Sequence, residues 1–209
     1  MSALPRHAVL ALALLLGACS VLPRPETPTV YRLPGGPTRT ATAAAPVAWS
    51  LQVDTPQAGS SLDGARIVVL PTAEELNVYR GARWNERMPV LLRDRLFDAF
   101  QADGRIRALS LDENALQADY VLTGNLRAFQ AEYEQGRPVA VIRYDAQLIR
   151  PGAQRILAMR RFESRVPAQG KEVPQVVAAF GAAADALAAQ VLPWTFSAVQ
   201  TAGSGERSD

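Results

Sequence analysis

The side chains with the most distinctive chemistry stand at the N-terminus. Of 209 residues one is a cysteine, Cys19, and one a histidine, His7. Neither type recurs after Cys19, which excludes internal disulfides, Cys₄ or Cys₂His₂ zinc sites, His-assisted Ser or Cys nucleophiles and HExxH metal chemistry. Lysine chemistry reduces to a single residue, Lys171. Carboxylates survive as catalysts. They pair at Glu74–Glu75, Asp94–Asp98, Asp112–Glu113 and Glu132–Glu134, and the last pair would share one strand face. A pair of this kind can divide general acid and general base roles, yet isolated pairs are more often solvated surface charge. No glycine-rich phosphate loop is present, and Ser50, Ser60 and Ser61 lie outside any GxSxG frame. The sequence therefore implies no cofactor and no metal. With 22 basic against 20 acidic residues, nucleic-acid binding through bulk charge is disfavoured.

The surroundings of Cys19 give it a role. Arg6 and His7 form a short basic region, Ala8 to Leu16 is an apolar run, and Leu16-Gly17-Ala18 leads directly into the cysteine. The run falls short of the roughly 20 apolar residues a bilayer span needs and suits a secretory signal. Ending at the sole cysteine, it resembles the bacterial lipoprotein signal. That resemblance implies cleavage before Cys19, a diacylated sulfur and an acylated amine, with fatty chains such as palmitate. Several chains anchor stably where one holds only reversibly. Ser20 follows the cysteine, where an Asp would resemble an inner-membrane retention signal. The outer membrane, periplasmic face, is the implied location.

The elements that carry the rest follow from pattern. Residues 1–18 read as signal, 19–28 as a proline-rich tether, 29–198 as one α+β domain, and 199–209 as a disordered tail. Short strands are expected at Thr29–Leu33, Ala48–Asp54, Ala65–Leu70 and Ile106–Leu111, with 71–88 turn-rich. Pro89 opens a helix over about 89–102, with Leu92, Leu96 and Phe100 on one face and Arg93, Asp94, Arg95 and Asp98 opposite, closed by Gly104. Strands Tyr120–Tyr133, Val139–Ile149 and Gln154–Val166 are joined by Gln135-Gly136-Arg137-Pro138 and Pro151-Gly152. Loops this short join antiparallel neighbours. Gly124 reads as a bulge or close contact. A second helix is expected over about 174–192, with Val176, Phe180, Ala183, Ala184, Leu187 and Val191 facing the core. Its one charge, Asp185, and its alanine content argue against a membrane span. The fold class is thus an antiparallel-rich mixed sheet with a long three-strand meander, packed by two main helices.

Arginine is the dominant cation, and eight lie between Arg127 and Arg165. Polar strand faces account for them, or else headgroups or an acidic partner. The segment Asn77 to Pro89 interleaves aromatic and basic residues. Tyr79, Arg80, Arg83 and Trp84 are its candidate partner contacts, with Trp84 equally suited to packing beneath the following helix.

The order of these parts resembles the ABC-type transport auxiliary lipoprotein family, which includes the paraquat-inducible protein C-like lipoproteins. The matching residues are the signal ending at Cys19, Tyr31-Arg32-Leu33, Ile67-Val68-Val69 and Val78-Tyr79. Arg83-Trp84-Asn85-Glu86 with Pro89 comes next, followed by Ala118 to Leu122 and Arg161-Phe162. The Ala178-Ala179-Phe180 helix ending at Trp194 completes the set. Two departures are Asn85, where a small residue is expected, and a single early Tyr where the family often has two aromatics. The resemblance implies a non-catalytic lipoprotein that assists an Mce-domain protein and an ABC permease in moving phospholipid or other hydrophobic molecules. Two other readings remain at this stage. One is a plug or chaperone of an outer-membrane assembly complex; the other is an envelope hydrolase using Glu132 and Glu134. The charge-poor closing helix also permits a homo-oligomer.

Overall fold

The computed structural model describes residues 27–36, 45–114 and 117–205. In chain order these form β1 (Thr29–Tyr31), β2 (Leu51–Val53), β3 (Gln57–Ala58), β4 (Arg66–Leu70), β5 (Asn77–Trp84) and α1 (Met88–Asp103). After them come β6 (Leu109–Leu111), β7 (Tyr120–Glu134), β8 (Arg137–Arg150), β9 (Arg155–Pro167) and α2 (Val173–Gly205).

All strands join one mixed sheet whose backbone is β7. One edge of β7 pairs along its length with β8, antiparallel, and β8 pairs likewise with β9. This is the expected meander. Its first turn is tighter than expected: Gln135 (φ 48°) and Gly136 (φ 74°) are both left-handed, the conformation of a two-residue hairpin whose twist matches the strands. The other edge of β7 is shared by three short parallel strands in succession: β2 at 120–122, β3 at 125–126 and β4 at 130–132. β5 pairs antiparallel with β4, β1 pairs parallel with β5, and β6 pairs parallel with β2.

Both helices cover one face. The expected core face of α2 is fully buried, as are Ala140, Ile142 and Leu148 of β8. Phe180 stacks on Phe129 at 5.2 Å, and Trp84 meets both rings edge-on at 5.4 and 5.9 Å. By length and composition α2 could span a membrane, but its apolar stripe is spent on this core. Gly124 is a close contact, as expected. A Cβ there would stand 2.1 Å from the Asp145 carbonyl oxygen, and the Tyr144 hydroxyl donates to the Thr123 carbonyl beside it at 2.6 Å.

Four expectations need correction. The stretch 71–88 contains β5 rather than turns alone. Gly81 (φ 68°) forms a bulge that breaks the period-2 pattern, as the register shift against β4 shows. The helix α2 continues through Pro193 to Gly205, so residues 199–205 are not a disordered tail. Phe196 packs on Trp49 at 5.4 Å and on Phe100 at 6.4 Å, and the Thr195 hydroxyl donates to the Val191 carbonyl at 3.0 Å. Those contacts carry the helix across a residue that lacks one N–H. Residues 206–209 lie outside the described residues. Strand β1 ends at Tyr31, two residues early. Lastly, Arg93 and Arg95 are not on a solvated face but buried, at 5% and 4% exposure. Arg93 is held by Asp94, Asp112 and Glu113. Arg95 is held by Asp185 and donates to the Pro34 carbonyl at 2.7 Å.

Candidate functional site

Cys19 and the tether up to residue 26 lie outside the described residues. The other candidate contacts all fall on β5, and the bulge at Gly81 sorts them. Before it, Val78 and Arg80 point to the outer, helix-free face and Tyr79 inward. After it, Arg83 points outward and Ala82 and Trp84 inward. Trp84 is fully buried. Its indole N–H, like the Tyr79 hydroxyl, meets no hydrogen-bond partner among the described residues. Burial, and next the neighbouring Tyr133, push the Tyr79 phenol above its ordinary pKa, so it stays a neutral donor. Arg80 and Arg83 are exposed. The surface offered by β5 is therefore basic, with Trp84 bracing the strand from beneath.

Two of the carboxylate pairs, Asp112–Glu113 and Glu132–Glu134, are committed to arginine. Arg165 bridges Glu132 (2.9 Å), Glu134 and Glu163 (3.1 Å), and Arg143 takes the other Glu163 oxygen at 2.7 Å. Asp112 and Glu113 serve Arg93. A carboxylate held by guanidinium is stabilised ionised. Glu163 is shifted down, chiefly by the Arg143 hydrogen bond, which is opposite to what a general acid needs. Of the eight meander arginines, Arg127, Arg143, Arg161 and Arg165 thus serve cross-strand pairing. Among the described residues no cluster of three His, Cys, Asp or Glu side chains could hold a metal.

Sequence reasoning missed an open cleft of about 1180 Å³ at the far end of the sheet, between Trp49, Gln52, Asp54, Tyr120 and Arg150. Trp49 meets Tyr120 edge-on at 5.4 Å, and Arg150 donates to the Tyr120 hydroxyl at 2.9 Å. Its parts lie on or beside β2, β7 and β8, and the parallel β2–β7 pairing is what brings the first of these to the other two. No local motif could have signalled it.

Residues 31–192 match the family described as the ABC-type transport auxiliary lipoprotein component. The chain belongs to this family. The match begins at the last residue of β1 and ends within α2, so it takes in β2 to β9 and α1. A crystal structure of a Xanthomonas campestris protein is similar at 32% identity, covering 84% of this chain and 99% of that one with a TM-score of 0.77. The structure of an uncharacterised protein, at 17% identity over 79% of this chain and 97% of that one with a TM-score of 0.61, shares the fold alone. Among curated proteins none matches. Auxiliary lipoprotein of ABC-type transport is thus the family's description, and membrane attachment in the cell envelope is consistent with it.

Proposed function

We propose that this protein is a non-catalytic lipoprotein, anchored through Cys19 in the outer membrane on its periplasmic face. It acts there as the adaptor of an Mce-type ABC transport system for phospholipids or other hydrophobic molecules. The family match over residues 31–192 carries the reading. Three features support it. The family-matched domain follows a signal that ends at the sole cysteine. A short leash on a lipid anchor raises a domain's effective concentration toward a partner reaching across the periplasm. The carboxylates best placed for hydrolysis are locked in arginine pairs, and no nucleotide motif occurs, so transport energy must come from the permease complex. The outer face of β5, with exposed Arg80 and Arg83 braced from beneath by the inward-facing Tyr79 and Trp84, is the basic contact surface of the domain.

The test is affinity capture of the full chain from cross-linked, detergent-solubilised membranes. Recovery of an Mce-domain protein is the expected result. Recovery of an outer-membrane β-barrel alone would overturn this reading in favour of an assembly-complex plug.

A further inference from the structure

The contact strand adjoins the point where the leash enters the fold, and the outer face there differs from the rest of the sheet. Register places Val30 of β1 opposite Arg83 of β5, and Arg83 opposite Arg66 of β4. The three side chains form one row across the outer face. Like charges directly opposed across strands destabilise the pair. Elsewhere on this face such charges are neutralised: Arg127 and Arg161 share Asp145, and Arg143 and Arg165 share Glu163. Arg66 and Arg80 make no ion pair among the described residues, nor does Arg83, which spends only its Nε on the Trp84 carbonyl at 3.2 Å. Nearby acids are turned elsewhere. Asp63 is taken by Arg87, Glu86 accepts from the Arg87 backbone N–H, and Glu75 accepts from the Asn77 amide. Beside these arginines Val30 and Val78 are 56% and 37% exposed.

The leash decides what this row can meet. Cys19 to Thr29 is ten residues, which span at most on the order of 30 Å when extended as a proline-rich segment. Acylation of Cys19 therefore keeps the β1 edge close to the bilayer. The β9 edge lies across the sheet, about 24 Å farther at ~4.8 Å per strand.

We infer that the Val30–Arg83–Arg66 row, with Arg80, seats on the anionic headgroups of the bilayer that holds the anchor. The domain then has a fixed orientation instead of swinging on its leash. Each arginine near an anionic surface raises the docked-to-free ratio about fivefold, and Val30 adds apolar contact at the headgroup boundary. The inference rests on the anchoring proposed for Cys19, and it names the bilayer as what the β5 contact surface meets, leaving the remaining surface free for the transporter. The competing basic edge is β9, where Arg155 and Arg160 make no ion pair among the described residues and flank exposed Ile156 and Met159.

The sole cysteine is the acylated one, so a second cysteine takes a label alone. The acylated full chain carrying Val30→Cys or Met159→Cys is fluorescently labelled and incorporated into phosphatidylethanolamine vesicles with or without phosphatidylglycerol. A headgroup-attached quencher reports proximity. Stronger quenching at position 30 than at 159 is expected in the anionic vesicles. Quenching at 30 should fall to the level seen without phosphatidylglycerol in ~0.5 M salt, where the screening length is a few ångströms, and likewise on adding Arg66→Gln with Arg83→Gln. Equal quenching at both positions, or stronger quenching at 159, overturns the inference. Absence of acyl chains on Cys19, seen by mass spectrometry of the same preparation, instead marks failure of the anchoring itself.

Discussion

Arg95 on α1 and Asp185 on α2 form an ion pair in which the guanidinium is 4% exposed and the carboxylate 38%. Arg95 also donates to the carbonyls of Leu33 and Pro34, just past β1, and of Gly181 on α2. One side chain thus ties both helices to the segment that leads in from the leash. The only charge in the apolar run of α2 is therefore a structural contact, which explains an acid in a helix apolar enough to cross a bilayer.

Removing Asp185 leaves a nearly buried guanidinium with carbonyls alone. Breaking a fully buried pair costs roughly 3–5 kcal/mol. Because Asp185 keeps solvent access, Asp185→Ala is expected to cost about 2–3 kcal/mol in chemical denaturation. An unchanged denaturation midpoint would show that the carbonyls suffice.

Strand β5 separates a packing role from a contact role. Trp84→Ala removes a ring packed edge-on against the stacked Phe129 and Phe180 and is expected to cost roughly 3–5 kcal/mol. Arg80→Ala with Arg83→Ala touches only exposed side chains and should leave stability within about 0.5 kcal/mol while weakening surface contact. Comparable melting losses in both variants would contradict the assignment of faces around Gly81.

The meander was legible because its signals are local. Alternation runs unbroken from Val139 to Leu148, and Gln135-Gly136 supplies the left-handed residues its hairpin needs. The core face of α2 was legible for the same reason. Strand β5 was hidden because Gly81 switches the parity, so Tyr79 and Trp84 point the same way at a spacing of five. Arg80 and Arg83 then made the stretch look like a solvated loop. The burial of Arg95 was illegible because its carboxylate partner is 90 residues away. The continuation past Pro193 depends on Phe196 finding Trp49 and Phe100, contacts that exist only once the sheet has formed. The candidate site was legible as residue types on β5, but not as a row with Val30 and Arg66, which pairing between distant strands creates.

Asp145 lies between Arg161 and Arg127 on the outer face, accepting from their Nε atoms at 2.5 and 2.9 Å. The Arg161 hydrogen bond is the largest effect; desolvation opposes it, and the Arg127 hydrogen bond with both guanidinium charges completes a net fall in pKa to about 2. A depressed carboxylate stabilises the fold fully above its unfolded value, ~3.9, and loses that contribution as pH falls through the folded one. The melting temperature of the native chain should therefore exceed that of Asp145→Asn near neutrality. The gap should close between about pH 4 and about pH 2. A gap of equal size throughout that window would show that the arginines do not stabilise the ionised form.

The account depends most on what is attached to Cys19, because the leash, the membrane address and the seating of β5 all follow from it. Mass spectrometry of the N-terminal peptide from the purified, membrane-extracted protein tests this directly. The expected result is a chain that starts at Cys19 and carries fatty acyl mass on that residue. A chain that retains residues 1–18, or that starts at an unmodified residue, would contradict it.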